Sequence, residues 1–105
     1  MPAAFFVVRA TVADPARRAA FDKWYENEHL PDAVKSFGVK KARRFWSLTD
    51  PGVHQAMYQF DGEASLDRAM KSEDLKRLIA DFNRDWPDVS RTRDTFVLAQ
   101  EFVAR

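Results

Sequence analysis

The run Phe5–Val12 (FFVVRATV) is strand-forming and apolar on both of its faces. Phe6, Val8, Ala10 and Val12 alternate with Phe5, Val7, Arg9 and Thr11. A strand of this kind is expected to need cover above and below; the alternative is a monomer with a partly apolar sheet surface. The rest of the chain has to supply that cover or recruit it.

A helix signal comes directly after the strand. Asp14 is placed as an N-cap and Pro15 as the first helical residue, so a helix is expected over Pro15–His29. Ala20, Phe21, Trp24 and Glu28 fall on one stripe of it, with Tyr25 one turn before His29. Pro31 disfavours helical geometry at Leu30 and is expected to end or kink the helix. A short turn over Asp32–Ser36 can continue it before Gly38. Lys40–Leu48 and His54–Phe60 read as two strands joined by the turn Thr49-Asp50-Pro51-Gly52, hence an antiparallel hairpin. Ser65–Lys71 reads as a short helix. Ser72 caps a second long helix whose Leu75, Leu78, Ile79, Phe82 and Trp86 recur with a period near 3.6 before Pro87 stops it. Thr95–Val103 (TFVLAQEFV) is expected as the last strand.

The order β-α-β-β-α-β predicts an α+β, ferredoxin-like domain: one four-stranded antiparallel sheet with both helices on one face. At 105 residues the chain is expected to form one domain, able to bury roughly 65% of its unfolded surface without staples. The far face of the sheet has no cover from its own chain. Leaving it wet forgoes about 25 cal/mol per Å² of apolar area, so a two-fold homodimer through facing sheets is expected.

Charge and composition narrow the function. A net charge of +1 provides no field for nucleic acid or anionic lipid. Lys40-Lys41-Ala42-Arg43-Arg44 reads as a solvated strand with ion pairs, since the paired aromatic platform of RNA-binding sheets is missing. Zero cysteines exclude thiolate chemistry, and His29, His54 and Glu28 lack a local metal-ligand spacing. No run approaches the ~20 apolar residues of a membrane span, and the expected location is the cytoplasm. Nine Phe, three Trp and two Tyr are enough to fill a core and to line an apolar pocket as well.

Trp24-Tyr25, Glu28-His29-Leu30-Pro31, Phe37-Gly38-Val39 and Ala42-Arg43-Arg44-Phe45 together resemble the EthD-like branch of the dimeric α+β barrel superfamily. The likeness in element order extends over nearly the whole chain, and its motif is confined to Trp24–Phe45. It implies a dimeric α+β barrel with a ligand pocket between helices and sheet. It also implies an activity drawn from cofactor-independent oxygenation, haem degradation, isomerisation or cyclisation.

His29 leads the candidates. Its imidazole can accept and return a proton near neutral pH, and a position in the last helical turn favours its cation. The resemblance places it at the pocket mouth; a structural hydrogen bond to a strand is the competing role. Tyr25 is expected to donate a hydrogen bond beside it, and Arg44 to anchor an enolate or carboxylate. Trp24, Trp46 and Tyr58 are expected to wall the pocket, or to be plain core. Glu28 breaks the apolar stripe and is expected to pair with Arg43 or Arg44, or to work as an acid or base. His54, coming just after a turn, is expected at the surface. These residues suggest a small enzyme that uses neither metal nor cofactor. It would act on a hydrophobic, aromatic or polycyclic small molecule by proton transfer or oxygenation. The alternative is a non-catalytic ligand-binding or stress-associated dimer of the same fold.

Overall fold

A computed structural model describes residues 2–105. Strand β1 spans Ala4–Thr11, and Asp14 caps a single 3-10 turn at Pro15–Arg17 by accepting a hydrogen bond from the Ala16 amide at 3.0 Å. Helix α1 (Arg18–Trp24) runs through a π turn at Tyr25–His29 into α2 (Leu30–Phe37). Then come β2 (Lys41–Trp46), β3 (Val53–Phe60), α3 (Glu63–Met70), α4 (Glu73–Asp85) and β4 (Ser90–Val97). The sheet is fully antiparallel in the order β2-β3-β1-β4. This is the expected ferredoxin-like α+β arrangement.

The inner face of the sheet carries Ala4, Phe6, Val8 and Ala10 of β1 and His54, Ala56, Tyr58 and Phe60 of β3, all buried under the helices. Phe21, Tyr25 and Ala33 come down from the first helical layer, and Leu78, Phe82 and Trp86 from α4 and its end. The outer face carries Phe5, Val7, Phe45, Met57 and Phe96, with Phe5 directly opposite Phe96. Phe45 and Phe96 are exposed.

Two expectations need correction. Pro31 does not end the helix, which continues to Phe37 and closes on Gly38 in the left-handed conformation (φ 69°) that suits a residue without a side chain. Proline lacks the amide that a regular turn requires and its ring crowds the carbonyl one turn back. Here the Leu30 amide reaches back to the Tyr25 carbonyl, five residues away, and the wider turn relieves that crowding. The last strand begins five residues earlier than its apolar alternation suggests. β1 is eight residues long and pairs Thr11 with Ser90 through to Ala4 with Val97. Beyond that only the Leu98 amide finds a partner on β1's side, the Ala3 carbonyl at 2.8 Å. Phe102 and Val103 are consequently exposed.

No helix among the described residues is long and apolar enough to cross a membrane.

Candidate functional site

The π turn decides which side chains face inward. In a regular helix each step of four residues overshoots a full turn by about 40°, so a stripe of i, i+4, i+8 drifts around the cylinder. Inserting one turn with more than four residues cancels part of the drift. Phe21, Tyr25, His29 and Ala33 therefore stay on one inward line. Phe21, Tyr25 and Ala33 are buried, and His29 is partly so. Glu28 is rotated out to the solvent and has no ion pair with Arg43 or Arg44. The stripe expected to carry Glu28 inward belongs to a regular helix, which this segment is not.

Between the inward line, α4 and the sheet lies an apolar cleft with ≈ 340 Å³ of empty volume counted out to its open mouth. Tyr25, His29, Phe6, Tyr58 and Phe82 line it, with Arg91 and Arg93 of β4 at one side. The cleft is narrow, and Leu75 and Ile79 also line it. His29 is held by two rings: it stacks on Trp24 (centroids 4.5 Å apart, planes 17°) and meets Tyr25 edge-on at 4.9 Å. Burial lowers its pKa to about 4, against the pull of the Asp32, Asp81 and Asp85 carboxylates. The expected cation at a helix end is thus a neutral base in mid-helix.

Tyr25 is fully buried, and desolvation pushes its phenol up to about 12. It touches His29 through its ring, and its hydroxyl interacts with that of Tyr58, whose pKa burial also raises well above the ordinary value. Both phenols are protonated at neutral pH and can donate.

Arg44 is not in the cleft. Its Nη1 donates to Asp22 Oδ1 at 3.0 Å and lies 3.1 Å from His54 Nε2, while Trp46 Nε1 donates to the same Asp22 oxygen at 2.8 Å. The Trp46 bond, opposed by desolvation and helped by Arg44, holds the Asp22 carboxyl below its usual range. An arginine can only donate, so His54 accepts through Nε2 and carries its proton on Nδ1. That Nδ1 is buried with no partner among the described residues. His54 is 0% exposed, not at the surface, because it is the first inward residue of the β3 alternation. Its pKa falls to about 4, through desolvation first and Arg44 second. Trp24 and Trp46 likewise lie outside the apolar cleft: Trp24 backs His29, and Trp46 seals the Asp22–Arg44 cluster.

Of the two guanidiniums at the cleft, Arg91 and Arg93, the partly buried one is Arg91. It lies over the Phe82 ring at 4.0 Å, donates to Asn83 Oδ1 at 2.9 Å, and has its pKa lowered by burial and by Arg93. A last strand confined to Thr95–Val103 puts Arg91 and Arg93 in a loop, which hides them among the polar residues after Pro87. The alternation Arg91, Arg93, Thr95, Val97 on the inward side is the signal that reveals them.

Sheet order and helix placement define a ferredoxin-like α+β fold. Solved structures with this fold include a mutant of SnoaB, a cofactor-independent oxygenase from Streptomyces nogalater. It has a TM-score of 0.73 and 13% identity over 96% of this chain and 97% of that one. An EthD (ethyl tert-butyl ether D) family protein from Bacillus halodurans matches with a TM-score of 0.62 and 19% identity, over 90% and 97% of the two chains. A dimeric ferredoxin-like protein from an uncultured marine organism matches at 0.72 and 12%, over 100% and 95%. No protein-family model and no curated protein sequence matches this chain. The likeness is one of fold, and the EthD-like resemblance of Trp24–Phe45 sits within it.

Proposed function

We propose that this protein is a small cofactor-independent enzyme. It deprotonates an apolar, aromatic carbon or oxygen acid in the cleft, with His29 as the general base. The observation that carries this is a neutral imidazole, clamped between Trp24 and Tyr25, facing an apolar cleft that also holds Arg91. A base of depressed pKa is unprotonated at neutral pH and ready to accept. The anion formed is met by the Arg91 guanidinium and by phenol donors rather than by water. SnoaB is named a cofactor-independent oxygenase, and that chemistry is consistent with an enolate formed in such a cleft. Substrate-derived carbanions react with dioxygen directly, or accept a proton elsewhere to give an isomer.

Anthrone is a suitable probe: planar, apolar, with an acidic methylene. Its conversion with one dioxygen to anthraquinone and one water balances without a cofactor. Turnover followed by absorbance and oxygen uptake is expected in the wild type. It should fall ~10³-fold in H29Q, the scale of general-base catalysis. Wild-type rates no higher than the buffer's, together with no binding of anthrone, would favour the non-catalytic alternative.

The outer sheet face supports a homodimer. Phe5, Phe96, Phe45, Val7 and Met57 form an apolar surface that a second copy's sheet covers at the ordinary ~10 Å spacing of packed sheets. Sedimentation at micromolar concentration should give a dimer for the wild type and a monomer for F96D. A wild-type monomer would end this part of the proposal.

A further inference from the structure

His29 lines two cavities, not one. Besides the apolar cleft it borders an open polar cup of ≈ 100 Å³, lined also by Trp24, Glu28, Asp32, Asp81, Arg84 and Asp85. The imidazole is a shared wall between an apolar chamber and a solvent-facing one. Neither of its ring nitrogens has a hydrogen-bond partner among the described residues. Nor is either among the sealed nitrogens without a partner, such as His54 Nδ1 and Trp86 Nε1. The ring is stacked on Trp24 and met edge-on by Tyr25, which hold it in one orientation.

We propose that His29 is a two-sided proton carrier, taking the substrate's proton from the cleft on one ring nitrogen and releasing the other nitrogen's proton into the cup, where Asp32, Asp81 and Asp85 hold the receiving water. This rests on the base role proposed above and extends it. The step balances: the carbon acid loses a proton and keeps the electron pair, the imidazole becomes imidazolium, and water in the cup takes the second proton. The ring is left as its other tautomer; it resets by taking a proton from the cup on the outer nitrogen and giving the cleft-side proton to the anionic product.

The charges around the ring support the direction. Asp32 of α2 and Asp81 and Asp85 of α4 favour the imidazolium, while Arg91 of β4 opposes it from the cleft side. The carboxylates are themselves held in place. Arg77 bonds Asp32 at 2.8 and 3.0 Å and Asp81 at 3.4 Å, and Arg84 bonds Asp81 at 3.3 Å and Asp85 at 3.0 Å. Glu28 completes the rim. The carboxylates thus draw the cation toward the cup while Arg91 opposes it from the cleft.

The test needs no substrate for its first half. In ¹⁵N-histidine-labelled protein, D81N/D85N should lower the His29 titration midpoint and slow exchange of its imidazole N–H with water severalfold. In the wild type about 0.5 M salt should move the midpoint the same way, because exposed carboxylates are screened. D85N alone serves if the double variant does not fold. With anthrone, kcat should fall about tenfold in the double variant and KM stay the same. An unchanged midpoint and exchange rate would overturn the carrier while leaving the base role standing. Unimpaired anthrone turnover in H29Q would overturn the base role itself.

Discussion

His29 and His54 invite comparison because both touch the Tyr25 ring, at 4.9 and 4.6 Å between centroids, and both titrate near 4. The same number has two causes. His29 is depressed by burial against three carboxylates that pull the other way, beside open space. His54 is depressed by burial together with a guanidinium 3.1 Å from Nε2, inside a sealed cluster. A shifted pKa therefore does not by itself mark a reactive group. The one proposed as the base has ring nitrogens without a hydrogen-bond partner among the described residues and borders two cavities; the other is bonded to Arg44 inside the core.

The comparison predicts opposite phenotypes. H29Q should lose ~10³-fold in anthrone turnover, about 4 kcal/mol of barrier, with stability changed by less than about 1 kcal/mol. H54A should do the reverse. It empties a fully buried ring position and removes one acceptor from Arg44, which costs about 3 kcal/mol. In a domain of this size that lowers Tm by more than ~10 °C in a calorimetric scan. A stable H54A that has lost turnover would invert the assignment of the two histidines.

Proton linkage gives the next effect. Both histidines have folded pKa values near 4 and an ordinary value of 6.5, so between those limits the unfolded chain binds more protons. Their contribution to stability is complete above pH 6.5, declines as the pH falls, and is spent below 4. One histidine contributes a slope of up to about 1.4 kcal/mol per pH unit. His29 gives less because its ring touches solvent. Urea unfolding midpoints measured from about pH 7.5 down to about pH 4 should show the decline. H54F should remove the larger part of it, H29Q the smaller.

Much of this was legible in the chain, and the losses share a cause. Asp14-Pro15, the 3.6-period of Leu75 to Phe82 and the alternation of His54, Ala56, Tyr58 and Phe60 are local signals, and each located its element. The ferredoxin-like order came out of them. What failed depended on pairing or on an irregular turn. The end of β4 is set by the length of β1, which the apolar run through Val103 does not encode. Whether Glu28 or His29 faces inward is set by one π turn, and a regular helical wheel gives the wrong residue. Among the candidates, His29, Tyr25 and Tyr58 do meet in the cleft. Arg44, Trp46 and Trp24 sit behind it, and Arg91 takes the place expected of Arg44.

The smallest predicted effect is the sharpest test of where the two regions divide. Asp22 is half-exposed and accepts from both Trp46 and Arg44, so D22N keeps the Trp46 bond through its amide oxygen and loses only the countercharge. A partly solvated ion pair of this kind is worth about 1 kcal/mol or less, and the unfolding midpoint should shift accordingly. Without the carboxylate, Arg44 bears harder on His54, whose midpoint should fall further in an NMR titration, since Asp22 now raises it. The His29 midpoint should not move, because its carboxylates are Asp32, Asp81 and Asp85. Anthrone turnover should be unchanged for the same reason. A fall in turnover with an unmoved His29 midpoint would mean that the Asp22–Arg44–His54 cluster acts on the cleft through Tyr25, which both histidines touch, and the division between scaffold and site would have to be redrawn at that ring.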